Sequence, residues 1–204
     1  MHILPITEES LGRAVEIIGG GGIVAHPTET CYGLACDLTN ADAVERLFAL
    51  KKRPTREPVS ALFPSVDEAK KYVEWGEEAE KLARQYLPGP LTIVLPLRDV
   101  MEEGYPPIVR LPDQETLGIR VSSHPVAHEL ARKAGVPLST TSANVHGKPS
   151  PYSAEDIREQ FLHEHLRPDL ILDGGVLPEA SSSTVVLVKD GKLIVLRQGS
   201  INIY

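Results

Sequence analysis

The chain has 204 residues, 42% hydrophobic and 24% charged, enough for one large core that needs neither disulfides nor metal. Its formal charge of -7 excludes a protein whose whole surface coats nucleic acid, because such binding rests on many cationic phosphate contacts. No apolar stretch approaches membrane-spanning length, no basic segment followed by an apolar run opens the chain, and Cys31 and Cys36 match neither a zinc nor a redox spacing, so the expectation is a reduced, cytoplasmic protein with one domain over residues 1–204.

Residues 8–18 carry Leu11, Ala14, Val15 and Ile18 at helical spacing, which predicts an amphipathic helix. Gly19, Gly20, Gly21 and Gly22 follow; they precede a strand at 23–25 and lack a downstream Gly-Lys-Ser/Thr, so they read as a cap and turn and not as a phosphate loop. Next comes the polar run 26–34, at the carboxyl end of that strand, where open α/β sheets bind ligands. Its Thr28, Glu29, Thr30 and Tyr32 either face a small molecule, or Thr28 caps a turn and Tyr32 enters the core. A second helix over 41–50 has Val44, Leu47, Phe48 and Leu50 on one side. It leads into Lys51, Lys52, Arg53 and Arg56, a cationic cluster set against the overall charge, with Pro54 and Pro58 as helix stops. Such a cluster either holds an anion or decorates a helix C-terminus.

A strand is expected at 59–63, one or two charged surface helices over 66–86, a rigid turn at 87–90 and a strand at 91–97. Residues 99–114, rich in proline and acid, read as a loop over a cleft. The strand 116–121 is interrupted by Arg120, whose planar fork is either paired with a carboxylate or projects into a site. A helix over 125–134 and a strand at 136–138 lead to the hydroxyl run 139–142 with Asn144, which either supplies donors to phosphate, sugar or carboxylate oxygens or caps a turn. Ser153 and Asp156 form a capping box for a helix over 153–162. Strands at 170–172, 185–188 and 193–196 complete the pattern, the last two joined by an Asp190-Gly191 hairpin turn, with Arg197 directly after. This alternation predicts an α/β fold with a mixed parallel and antiparallel sheet and flanking helices. There is no nucleophile-elbow motif, and the seven histidines show no metal-ligand spacing. Cations and hydroxyls recur at predicted strand and helix ends, namely Lys51, Arg53, Arg120, Ser142, Ser183 and Arg197. They suit chemistry by positioning and charge stabilisation, as in nucleotidyl transfer with Mg²⁺ carried in by the triphosphate.

Six segments together carry a resemblance: Pro27-Thr28-Glu29-Thr30-Cys31-Tyr32-Gly33-Leu34, Lys51-x-Arg53-Pro54, Pro88-Gly89-Pro90-Leu91-Thr92, Gly118-Ile119-Arg120-Val121, Ser142-x-Asn144 with Gly147 and Pro149-Ser150, and Ser183-Thr184-Val185-Val186. In this order and over nearly the whole chain, they resemble the YrdC-type threonylcarbamoyl-AMP synthase family. The resemblance implies a twisted sheet around a large basic cavity and a reaction in which L-threonine, bicarbonate and ATP give L-threonylcarbamoyladenylate and pyrophosphate. It further implies that other proteins then transfer the threonylcarbamoyl group to tRNA. By matching positions it implies Thr30, Arg120, Thr140 and Ser183 near threonine and Arg53, Thr116, Ser142, Ser150 and Arg197 near ATP, with Asn144 in the same polar cavity and Lys51 and Arg53 as catalytic cations. No protein-held metal is implied.

Four positions depart from the family pattern. Leu62 stands where histidine is usual, Glu57 where a neutral or basic residue is, His146 in place of a serine and Ser122 in place of a proline. Two other classes of function also fit the sequence: a non-catalytic module that holds tRNA or double-stranded RNA, and a YrdC-like paralogue with an altered substrate.

Overall fold

The computed structural model describes residues 1–54, 57, 59–98, 105–111 and 113–203. Arg56 and Pro58 lie outside the described residues, as does 99–104 of the loop expected at 99–114. The helices are α1 (Glu8–Gly19), α2 (Ala41–Lys51), α3 (Val66–Lys70), α4 (Glu77–Tyr86), α5 (Pro125–Ala134) and α6 (Ala154–Phe161). Their ends follow local chemistry. Thr7, Asn40, Ser65 and Ser153 each accept a backbone N–H at an N-terminus, Pro125 occupies the first turn of α5, and Gly135 ends α5 in the left-handed conformation at φ 68°. What stops α2 is not Pro54: Lys52 takes the left-handed conformation at φ 53°, and its N–H turns back to Phe48 and Ala49. None of these helices is long and apolar enough to cross a membrane.

The strands are β1 (His2–Pro5), β2 (Val24–Pro27), β3 (Tyr32–Ala35), β4 (Ser60–Leu62), β5 (Leu91–Pro96), β6 (Thr116–Arg120), β7 (Leu138–Ser142), β8 (Leu170–Asp173), β9 (Thr184–Lys189) and β10 (Lys192–Arg197). They form one sheet in the order β1-β8-β2-β3-β7-β4-β6-β5-β9-β10. The pairs β1/β8, β8/β2, β4/β6 and β5/β9 are parallel and the other five antiparallel, so the sheet is mixed along its whole width. Three expectations change. His2–Pro5 and Tyr32–Ala35 are strands that the pattern did not show. The hydroxyl run does not follow a strand at 136–138; Leu138–Ser142 is itself the strand, at the centre of the sheet. Its hydroxyls are tolerated there because neighbouring strands satisfy them: Ser139 Oγ donates to Leu34 O at 3.1 Å and accepts from Cys36 N at 2.9 Å.

Side-chain alternation divides the sheet into two faces. Ala25, Leu34, Ala61, Ile93, Leu117, Ile119, Ile171, Val186 and Val188 point to one face, where α2, α4 and α6 close a continuous core. Val24, Ala35, Leu62, Leu138, Leu170 and Leu172 point to the other, beneath α1 and α5. These two helices cover only the half built on β8, β2, β3 and β7. Beyond them β6, β5 and β9 turn Thr116, Gly118, Arg120, Thr92, Val94 and Val185 outward on a stretch with no helix over it. The described part of the proline-rich loop is tied down on the opposite face, with Ile108 buried and Val109 N donating to Leu38 O at 2.8 Å.

Gly118 lets three strands approach beneath this uncovered half. A Cβ there would lie 2.6 Å from Ser60 Oγ and 3.1 Å from Thr92 Cγ2. Gly118→Ala is therefore expected to lower stability by about 1–3 kcal/mol, the usual cost of forcing a methyl into a packed site. Urea unfolding should show a lower midpoint at constant m-value, and an unmoved midpoint contradicts the close approach.

Candidate active site

The uncovered half of the sheet is the floor of a cavity of about 430 Å³. Its walls come from four directions: the β2–β3 turn with Thr30 and Cys31, the end of α2 with Arg53, the exit of β7 with Thr141, Ser142 and Ser150, and the β9–β10 hairpin with Ser183, Leu196 and Arg197. Thr116, Arg120 and Thr140 rise from the floor. Nine of the expected site residues thus line one cavity: Thr30, Arg53, Thr116, Arg120, Thr140, Ser142, Ser150, Ser183 and Arg197.

Lys51 and Asn144 do not line it, which corrects the expectation. Lys51, the last residue of α2, is only 2% exposed and lies behind the wall. Its ammonium donates to Ser142 O, to Asn144 O at 2.8 Å and to Asn144 Oδ1 at 3.0 Å, so its three donors meet three acceptors. The Lys51 carbonyl accepts from His146 N at 2.8 Å, and Asn144 Oδ1 accepts from Ser142 Oγ at 2.6 Å. Lys51 therefore ties the end of α2 to the loop that presents Ser142. Burial, then the neighbouring Arg53 charge, lowers its pKa from 10.5 to about 7.

Arg53 is the cation of this stretch that reaches the cavity. Its Nε donates to Glu57 O at 3.0 Å and lies 3.5 Å from Glu57 Oε2, while Nη1 is 3.5 Å from Thr141 Oγ1. Lys52 points away and pairs with Glu164 at 2.7 Å. Arg197 reaches the cavity because of a β-bulge: Val195 pairs with Val186 and Arg197 with Val185, which leaves Leu196 over and sets Arg197 on the cavity face. Its guanidinium donates to Ser183 O and, at 3.0 Å, to Ser183 Oγ, and Ser183 Oγ lies 3.1 Å from Thr92 Oγ1. No carboxylate pairs with Arg197 among the described residues. Burial, then the nearby Arg120 charge, lowers the pKa of Arg197, yet guanidinium stays charged at any working pH.

Both readings of Arg120 hold at once, since it lines the cavity and pairs with a carboxylate. Nη2 donates to Glu29 Oε1 at 2.7 Å and to Thr30 Oγ1 at 2.8 Å. Glu29 Oε2 accepts from Ser122 Oγ. Burial pushes the Glu29 pKa up, but the Arg120 charge and the hydrogen bonds from Ser122 and Arg120 prevail and hold it below the usual carboxylate range. In the same polar run, Thr28 does cap the turn, its Oγ1 donating to Cys31 O at 2.6 Å, and Tyr32 is a core residue anchored through its hydroxyl to Gly174 N and Gly175 O, each at 2.8 Å. Sequence reasoning missed Cys31, Ser60, Thr92 and Ser182 as lining residues. Cys31 had a signal, lying beside Thr30 in the polar run. Burial raises the pKa of its thiol, which stays protonated at neutral pH.

With three guanidiniums, a shell of hydroxyls and no carboxylate among its described lining residues, the cavity suits an anionic ligand with many oxygen acceptors. The Sua5_yciO_yrdC family model, described as telomere recombination, matches residues 16–199. A putative threonylcarbamoyl-AMP synthase of Methanocaldococcus jannaschii is 33% identical over 207 residues, covering 100% of this chain and 94% of its own. The threonylcarbamoyl-AMP synthase of Pyrococcus abyssi is 35% identical over 96% of this chain, which spans only 56% of that longer protein. Among solved structures, P. abyssi Sua5 complexed with L-threonine superposes with a TM-score of 0.85 at 34% identity over 97% of this chain and 56% of its own. Escherichia coli YciO gives 0.81 at 26% identity, over 97% of this chain and 93% of its own.

The geometry separates two adjacent cations by experiment. Lys51→Met takes the ammonium donor from three buried acceptors, of which Asn144 Oδ1 keeps Ser142 Oγ, and is expected to cost about 1–3 kcal/mol of stability, whereas Arg53→Ala, at the open wall, costs under about 1 kcal/mol. Between about pH 7 and 10.5 the folded protein binds fewer protons at Lys51 than the unfolded chain, so the Lys51 contribution to stability rises with pH across that window. Denaturant unfolding should show this slope in the natural protein and lose it in Lys51→Met.

Proposed function

The chain belongs to the Sua5/YciO/YrdC family, and on that premise we propose that it is an L-threonylcarbamoyladenylate synthase: a nucleotidyltransferase that makes threonylcarbamoyl-AMP and pyrophosphate from L-threonine, bicarbonate and ATP. The observation that carries the proposal is the convergence of Arg53, Arg120 and Arg197 on one hydroxyl-lined cavity, in a fold shared with a Sua5 that was solved with L-threonine.

The reaction needs little from the protein beyond order and charge. The amine of threonine attacks the carbonyl carbon of bicarbonate, water departs and a carbamate forms; a carbamate oxygen then attacks the α-phosphorus and pyrophosphate leaves. Arg120, Thr30, Thr140 and Ser183 hold threonine. Arg53 and Arg197 neutralise the triphosphate, with Thr116, Ser142 and Ser150 donating to its oxygens or to the ribose. Lys51 and Asn144 act one step back by holding Ser142. Binding three reactants side by side lowers the entropic part of the barrier, and fixed cations stabilise charge that moves from carbamate to pyrophosphate. Because no described lining residue is a carboxylate, Mg²⁺ fits as a cargo of ATP, bound through phosphate oxygens.

Residues 1–204 then act as one domain, and its product, a reactive mixed anhydride, passes to proteins that load tRNA. A direct tRNA contact is secondary in this reading, since the cations are gathered in a concavity and not spread over a face.

Incubation of the pure protein with ATP, Mg²⁺, bicarbonate and L-threonine should give pyrophosphate and a threonylcarbamoyl adenylate by mass spectrometry. Pyrophosphate release that does not depend on both threonine and bicarbonate would sink the proposal. Arg53→Ala is expected to reduce adenylate formation by about 100-fold or more, in line with the loss of a preorganised charge, while its thermal transition moves by no more than about 2 °C.

A further inference from the structure

We propose that Glu29 and Ser122 are a positioning pair for Arg120, which fixes its guanidinium for one carboxylate and cancels its charge toward the triphosphate. The inference rests on the reading that Arg120 receives the amino acid.

Arg120 is held through a single nitrogen. Nη2 donates to both Glu29 and Thr30; among the described residues Nε is buried with no partner and Nη1 makes no hydrogen bond. A guanidinium gripped at one corner is free to tilt unless that grip is itself fixed. Both grips are. Thr30 Oγ1 lies 3.0 Å from Thr28 Oγ1, which also accepts from Thr30 N at 3.2 Å. Glu29 is fixed by Ser122, whose hydroxyl donates to Glu29 Oε2 while accepting from His124 N at 3.1 Å. His124 is in turn the N-cap of α5, its Nδ1 accepting from Val126 N at 3.2 Å. The orientation of Arg120 thus runs back through Glu29 and Ser122 to the rigid start of a helix. The ion pair is secluded, with side chains 10% and 14% exposed, so it is weakly screened.

The charge has a second consequence. The groups facing Glu29 are Arg120 from β6, Ser122 beyond its end, His26 from β2 and His124 before α5. Burial lowers the pKa of both histidines, that of His26 to about 4, so near neutrality Arg120 is the cation against Glu29. Among the described residues, Arg120 is the cavity arginine paired with so buried a carboxylate; the carboxylate described beside Arg53, Glu57, is 48% exposed at the rim. A triphosphate is thereby directed to Arg53 and Arg197, and Arg120 is kept for a planar carboxylate that fits its remaining N–H groups.

Calorimetry with two probes tests this, L-threonine and inorganic tripolyphosphate, each titrated without the other into the natural protein, Glu29→Gln and Ser122→Ala at several pH values from 3 to 8. In Glu29→Gln, tripolyphosphate should bind several-fold tighter and threonine about tenfold more weakly, the latter being the effect of losing a hydrogen bond to a charged group. In the natural protein threonine affinity should be flat from pH 8 to below the usual carboxylate range. Ser122→Ala removes one donor and should move the acid fall to higher pH, Ser122→Thr should restore it, and Glu29→Gln should abolish it. A purely structural role weakens binding equally at every pH and overturns the proposal, as does an acid fall that persists in Glu29→Gln, which assigns it to His26. If the natural protein binds no threonine, the synthase reading fails on its own, and the tripolyphosphate arm still decides the role of Glu29: unchanged affinity in Glu29→Gln refutes it.

Discussion

The structure depends on a mismatch between a ten-stranded sheet and the helices available to cover it. One face is closed throughout by α2, α4 and α6. The other receives only α1 and α5, which seal the half built on β8, β2, β3 and β7. Apolar residues throughout the remaining half would leave a large greasy surface in water, so the strands there carry mainly threonine, serine, glycine and arginine on that face, with Val94 and Val185 among them, and leucine, isoleucine and valine on the other. The cavity is thus not carved out of a core. It is the part of the sheet whose helical cover was withheld, and rigid strands supply its floor.

Placing three arginines in one concavity raises its potential and sets their charges against one another, and burial followed by the Arg120 charge lowers the pKa of Arg197. The protein answers with carboxylates set behind or beside the cations and never among the described lining residues. Glu29 sits deep against Arg120, Glu57 at the rim against Arg53, and Arg197 meets, among the described residues, the Ser183 carbonyl and hydroxyl. The strength of compensation falls from Arg120 to Arg197, and the field across the cavity is graded accordingly. An overall charge of -7 is compatible with anion binding because the positive groups are concentrated where solvent is least able to screen them.

Much of this was legible in the chain. Helix α5 has a proline at its start and a glycine after its end, α6 opens on a capping box, and Asp190-Gly191 forms its tight turn with both residues at positive φ. These signals are local, so the sequence carries them whole. The strand Tyr32–Ala35 was hidden because it is four residues long and follows a polar turn, and β7 because its hydroxyls find partners on β3 and nearby loops, about 100 residues away in sequence. Lys51 illustrates the limit for the site. Its charge drew notice, and its neighbour Arg53 does line the cavity, but whether a lysine at a helix end reaches forward to a ligand or sideways to a loop is decided by Ser142 and Asn144, more than 90 positions on. The departures from the family pattern are likewise sorted only in three dimensions. Leu62 is an ordinary member of the core beneath α5, whereas Ser122 makes a contact to Glu29 that proline has no hydroxyl to make.

The extra residue at Leu196 gives the last hairpin an unusual status in how this chain can vary. Side chains on a strand have two settings, in or out; at this chain length a regular ladder would bring Arg197 opposite Thr184 and turn it from the cavity, and removing the one extra residue would leave it opposite Val185 as the bulge does. Strand pairing between β9 and β10 would survive such a change, and so would the apolar core on the far face. Leu196 and Arg197 both line the cavity, so the bulge sets an apolar side chain beside the guanidinium. The length of this hairpin and its bulge together thus decide where the last cation of the cavity stands.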